Sequence, residues 1–193
     1  MIPTSPLVTA TVLLIETLFG VYILLVMLRF LLQWLKISFR GEPILQLVLR
    51  ATNPPLLLLY NFIPGWRGID FAAILLMMVL KVFQILLTLW LYGKTIGFFA
   101  LLVLALAKLI YLLINVFFFS VLIEVILSWV TPPNSYNPIV NILYRLNEPL
   151  LRPVRKKIPP VQGIDFSPLV VIIGLQLANI IIVGYLEQLA GVL

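Results

Sequence analysis

Four stretches of this chain are long and apolar enough to cross a lipid bilayer: roughly 7–30, 71–92, a segment within 98–130, and 166–187. A hydrocarbon core of about 30 Å takes about 20 residues of helix. Hydrophobic residues make up 63% of the chain and charged residues 10%, with a mean hydropathy of +1.17. A soluble domain is about half apolar and a quarter charged. The expected fold class is therefore an all-α membrane protein with four transmembrane helices. The third run exceeds one crossing and is expected to tilt or to begin at the interface. The opening "MIPTSP" carries no Lys or Arg, and no small-residue cleavage site ends the first run. A retained first helix is expected rather than a cleaved signal.

The links between spans differ in charge. Between spans two and three lies the short turn "GKTIG" (93–97). The long links, 31–69 and 131–164, hold Lys36, Arg40, Arg50, Arg67, Arg145, Arg152, Arg155, Lys156 and Lys157, nine of the chain's 13 basic residues, against Glu42 and Glu148. The positive-inside rule places these links in the cytoplasm and both termini outside.

The chain also repeats itself. Trp34 and Trp129, Pro64 and Pro159, Gly68 and Gly163, Ile69 and Ile164, Asp70 and Asp165, and Phe71 and Phe166 share an offset of 95. "TNPPL" (52–56) matches "LNEPL" (146–150) at 94, which reads as one residue gained between them. Two units follow, 1–96 and 97–193, each a span, a basic link and a span. Two spans return each unit to its starting side, so the copies run parallel about a pseudo-two-fold axis along the membrane normal.

Asp70 and Asp165 each stand just before a spanning helix, where a carboxylate caps free N–H groups and suits the positive end of the helix dipole. Gly68 and Gly163, two positions earlier, permit the turn into the membrane, and Pro168 falls in the first turn, where a missing N–H costs little. A second reading brings the two aspartates together across the pseudo-axis. The links are expected to be amphipathic interfacial or re-entrant helical pieces, with Pro149, Pro153 and Pro159 breaking 137–160 into segments too short to span. Arg145, Arg152, Arg155, Lys156 and Lys157 form a patch for anionic headgroups, each worth about 1 kcal/mol near a charged leaflet. The patch also suits a membrane-protein partner or a second copy.

Glu16, Arg29, Lys81, Lys108 and Glu124 fall inside the spans, where a central charge costs at least about 2.5–3.5 kcal/mol and needs a partner or a water path. Arg29 aligns with Glu124, so a pair across the pseudo-axis is expected. Lys81 and Gln84 share one helix face, as do Gln176 and Asn179. Lys108, Tyr111 and Asn115 make a third polar stripe. Interhelical bonding, an ion or proton path and oligomer contacts are the available roles.

The chain has no Cys and no His. Thiol or triad chemistry, Cys/His zinc sites and His or Cys haem ligation are excluded. No catalytic residue, metal site or cofactor is expected, and no nucleic acid, since no soluble basic face is available.

"ILSWV" (126–130), "NPIVNILYRLNEPLLRPVRKKIPP" (137–160) and "GIDFSPLV" (163–170), with the weaker first copy, resemble the YggT family of bacterial and plastid membrane proteins. The resemblance implies a small multi-pass protein without catalytic residues, in the bacterial inner membrane. It implies a role in osmotic and potassium homeostasis or, alternatively, in assembling other membrane complexes, as in cytochrome maturation or cell division. A part in haem attachment would be chaperone-like. The first copy, "LLLLYNFIPGWRG", departs from the basic part of the motif, so the copies are not expected to act alike.

Overall fold

A computed structural model describes residues 5–37, 43–63, 65, 68–130, 137–159 and 165–193. Among them are six helices: α1 (Pro6–Trp34), α2 (Pro43–Tyr60), α3 (Phe71–Leu91), α4 (Phe98–Val130), α5 (Pro138–Lys157) and α6 (Ser167–Val192). α1, α3, α4 and α6 have the length and apolarity of membrane spans. α6 contains one π-helical turn, Asn179–Val183. The link helices α2 and α5 lie between spans in sequence, one per repeat.

Each repeat is a three-helix unit. In the first, α1 packs on α3 and α2 touches both; in the second, α4 packs on α6 and α5 touches both. The units meet where α3 and α1 pack on α4. Val26, Met27, Leu31, Leu56, Leu76 and Met77 form most of the first core, to which α4 adds Leu109, Val116 and Phe117. Val121, Leu151 and Val171 form its counterpart in the second. Outward side chains such as Leu14, Leu18, Phe83, Leu86 and Ile180 are exposed apolar groups, as expected of helices solvated by lipid.

The repeat register is 95 throughout. Pro43 and Pro138 open the two link helices, and Pro54 and Pro149 lie inside them. The buried residues Val26/Val121, Thr52/Asn147, Leu56/Leu151, Ala72/Ser167 and Leu76/Val171 pair at the same offset. The 94-residue match of "TNPPL" with "LNEPL" is therefore a local likeness of letters, and no residue was gained.

Pro149 and Pro153 do not break α5 as expected. Each removes one N–H, freeing the carbonyls of Arg145 and Pro149 four residues earlier. Positions 145, 149 and 153 share one exposed helix face, so those carbonyls face outward, where water or headgroups can satisfy them. Pro159 lies beyond the helix end.

Gly68 and Gly93 have positive φ, +84° and +63°, which a side chain would strain. Gly68 turns the chain into α3, as the sequence suggested. Gly93 closes α3, with its N–H and that of Lys94 bonded to the carbonyls of Trp90 and Leu89. A Cβ on Gly97 would meet the Leu193 carbonyl at 3.4 Å, so the α3–α4 turn and the end of α6 share one end of the bundle. Gly163 lies outside the described residues, as do Arg40, Glu42, Pro64, Arg67 and Ile164.

Candidate functional site

At the link end of each repeat a polar cluster joins a spanning helix, the link helix and the start of the next span. In the first repeat Arg29 is 4% exposed and central. Its Nη1 donates to Thr52 Oγ1 at 2.9 Å and Asn53 Oδ1 at 2.6 Å, and its Nη2 to Tyr60 Oη at 3.3 Å. Tyr60 Oη in turn donates to Asp70 Oδ2 at 2.5 Å. Asp70 is the N-cap of α3 and accepts from the Ala73 N–H at 3.0 Å. Burial pushes the Tyr60 phenol up to about 12, and its bond to Asp70 pushes the same way, so it remains a donor at neutral pH.

The second repeat builds the same joint from different charges. Glu124 of α4 is 9% exposed. Its Oε2 accepts from Asn147 Nδ2 at 2.7 Å, and Ser120 Oγ donates to Asn147 Oδ1. Arg155 Nε donates to Asp165 Oδ2 at 2.8 Å, while its Nη2 and Nη1 stand 3.6 and 3.8 Å from Glu124 Oε1 and Glu148 Oε2. Burial alone would raise the Asp165 carboxyl, but the hydrogen bonds from Arg155 and the Ser167 N–H hold it below the usual carboxylate range.

Asp165 is not an N-cap like Asp70. α6 begins at Ser167, and Asp165 Oδ1 takes the Ser167 N–H at 2.9 Å, two residues on. The cause is one substitution. The N–H that Asp70 caps belongs to Ala73, whose counterpart is Pro168, and proline has none to donate. The first-turn position expected for Pro168 holds.

Arg29 and Glu124 do not pair across the pseudo-axis; each serves its own repeat's joint. The two aspartates likewise bond within their own repeats. The partner of Asp70 is Tyr60 and that of Asp165 is Arg155, again 95 apart. Sequence reasoning passed over Tyr60, Thr52 and Asn147 because none carries a charge. The register was the available signal: it superposes Tyr60 on Arg155 and Thr52 on Asn147.

A second polar layer lies deeper. Lys81 stands at the middle of α3, about 15 Å from either end at 1.5 Å per residue. Its Nζ donates to Gln84 Oε1 at 2.8 Å, the same-face pair expected. Lys81, Gln84, Thr88, Glu16, Lys108 and Tyr111 line a cavity of about 480 Å³ between α1, α3 and α4. Lys108 also pairs with Glu187 Oε1 at 2.7 Å. Together with Tyr111 and the π-helical turn of α6 it lines an adjoining cavity of about 390 Å³. Asn115 closes on its own helix, donating to the Tyr111 carbonyl.

Arg145, Arg152, Lys156 and Lys157 are exposed on α5. Arg155, expected among them, turns inward to Asp165 and Glu124. No group of three or more Asp or Glu that could hold a metal ion occurs among the described residues.

These features define a class: a duplicated four-span membrane protein in which each repeat is locked by a polar joint between a span, its link helix and the next helix start. Within that class the chain belongs to the CCB3/YggT family, whose model matches residues 8–91 and 103–186, one match per repeat. It is 38% identical over 185 residues to an uncharacterized protein of Pseudomonas aeruginosa, covering 95% of this chain and 93% of that one. It is 32% identical over 189 residues to the uncharacterized protein YggT of Escherichia coli K12, covering 93% of each. A 67-residue stretch is 35% identical to the uncharacterized protein ycf19 of Porphyra purpurea, covering 35% of this chain and 70% of that one. No solved structure matches.

Proposed function

We propose that this is a non-enzymatic protein of the bacterial inner membrane that serves osmotic and potassium homeostasis by controlling passage of a cation through the Lys81 cavity. One observation carries the reading: a cavity of about 480 Å³ in the spanning layer, lined by Glu16, Lys81 and Lys108. Charges at such depth need a partner or a water path. Glu16 attracts a cation into the cavity, and Lys81 opposes its passage past the midpoint. A unit charge 4 Å from an ion is worth about 4 kcal/mol at an effective dielectric of 20. Half of that still exceeds a tenfold change in rate.

Potassium flux in liposomes carrying the purified protein tests this. Lys81→Met is expected to raise flux by at least about tenfold and Glu16→Gln to lower it by a similar factor. Flux no greater than that of protein-free liposomes, in wild type and both variants, would overturn the reading.

The exposed cations of α5 favour a second reading, an assembly or scaffold factor. Arg145, Arg152, Lys156 and Lys157 would hold anionic headgroups at rest and dock a membrane-protein partner or a second copy. Both readings put the links in the cytoplasm and the termini in the periplasm. With no native cysteine, one placed at Lys94 is expected to react with an impermeant maleimide in intact spheroplasts, and one at Lys157 only after lysis. The opposite pattern would invert the orientation.

A further inference from the structure

We propose that the second repeat binds the headgroup of a primary-amine zwitterionic phospholipid, the phosphatidylethanolamine type, in a cavity between α4, α5 and the start of α6. The cavity is about 370 Å³, and Glu124, Ser128, Trp129, Arg155 and Asp165 are among its lining residues. One water occupies about 30 Å³ of liquid, so the space suits a small headgroup as well as solvent.

The charges in and around the cavity are unbalanced in a way that specifies a ligand. One guanidinium, Arg155, faces three carboxylates, Glu124, Glu148 and Asp165. Glu124 is nine-tenths buried. Asn147 satisfies its Oε2, while its Oε1 meets Arg155 only at 3.6 Å, beyond hydrogen-bonding distance. This carboxylate excess, with Glu124 buried and one enclosed oxygen of Glu148 without a hydrogen bond, calls for a compact cation that donates hydrogen bonds, and a primary ammonium supplies three donors. Arg155 spends Nε on Asp165 at 2.8 Å. Its terminal nitrogens sit 3.6 and 3.8 Å from their carboxylates, leaving N–H groups for a phosphate oxygen. The site thus offers acceptors for an ammonium beside donors for a phosphate, the two charges a zwitterionic headgroup carries a few bonds apart.

Placement selects a lipid over a soluble amine. The cavity lies at the end of two spans, and Trp129 at its lining is 83% exposed, the position of a belt aromatic at the headgroup level. The first repeat lacks the imbalance. Arg29 replaces Glu124, Tyr60 replaces Arg155 and Asn53 replaces Glu148, so among the described residues a lone carboxylate, Asp70, remains against a buried guanidinium. One headgroup per chain is expected.

The full-length protein is purified into detergent and offered phosphatidylethanolamine, phosphatidylcholine and phosphatidylglycerol in equal amounts, and bound lipid is read by native mass spectrometry. Wild type is expected to retain several-fold more phosphatidylethanolamine than phosphatidylcholine, whose quaternary ammonium has no N–H. Glu124→Gln removes the charge and keeps an acceptor for Asn147; Ser128→Phe fills the cavity without touching a charge. Both are expected to abolish the preference while thermal midpoints show them folded, and Lys94→Gln, at the other end of the bundle, to leave it intact. Equal retention of the two zwitterionic lipids would overturn the proposal. So would a phosphatidylglycerol preference indifferent to both variants, which would mark capture by the basic face of α5 alone. Complete displacement of the lipid by millimolar ethanolamine would assign the site to a soluble amine instead.

Discussion

Arg29→Glu is expected to cost about 3–5 kcal/mol of folding stability, and adding Tyr60→Arg to recover more than half of it. Arg29 is buried, and its terminal nitrogens bond Thr52, Asn53 and Tyr60. A glutamate in its place removes those donors and puts a second buried negative charge into the joint that holds Asp70. Tyr60→Arg alone sets two guanidiniums against one aspartate and is also destabilising. Together the substitutions reproduce the second repeat, where Glu124 stands on the span and Arg155 on the link, bonded to the helix-start aspartate. Each change is harmful alone and corrective in the presence of the other, so the coupling energy has the opposite sign to the single effects. Thermal or steric-trap unfolding of the two singles and the double in one detergent measures it. Additive losses would mean that the joints are not interchangeable versions of one design.

The sequence carried the architecture because hydrocarbon enforces it. Four apolar runs, the duplication and helical links were legible from periodicity and offsets, since lipid leaves the backbone few alternatives. The joints were legible only in part. Asp70 and Asp165 announce themselves as helix-start carboxylates, but their partners lie ten residues upstream on another helix, Tyr60 in one copy and Arg155 in the other. Charge alone suggested Arg29 with Glu124, because they are opposite in sign and aligned. Alignment under duplication means equivalent positions, and equivalent positions sit in separate repeats. Each side chain therefore meets its own link helix before it meets its image. Two prolines misled in opposite directions: Pro149 did not break a helix because its orphaned carbonyl faces outward, and Pro168 displaced a cap because the N–H it lacks was the one required. Glu187, the partner of Lys108, stood at the expected limit of the last span and so went unweighed, whereas α6 continues to Val192.

Asn147→Leu is expected to destabilise the second repeat by about 1.5–3 kcal/mol, the worth of a hydrogen bond to a charged group. Asn147 is fully buried and bridges α5 to α4, donating to Glu124 and accepting from Ser120. Ser120 has a second acceptor in the Phe117 carbonyl at 2.9 Å, so its hydroxyl survives the change. Glu124 has no such reserve: its Oε2 loses a 2.7 Å donor inside the protein, and Arg155 at 3.6 Å from Oε1 does not replace it. The cost is therefore that of a buried, poorly solvated carboxylate, and deleting that carboxylate should remove the cost. Glu124→Leu combined with Asn147→Leu is expected to be more stable than Asn147→Leu alone, because two apolar groups of similar shape leave nothing unsatisfied. Arg155 keeps Asp165 in the double variant. If the double is instead the least stable of the three, Glu124 holds the fold through contacts other than Asn147. If it is the more stable, the carboxylate is costly to the fold, and retaining it next to a cavity points to a ligand that uses it.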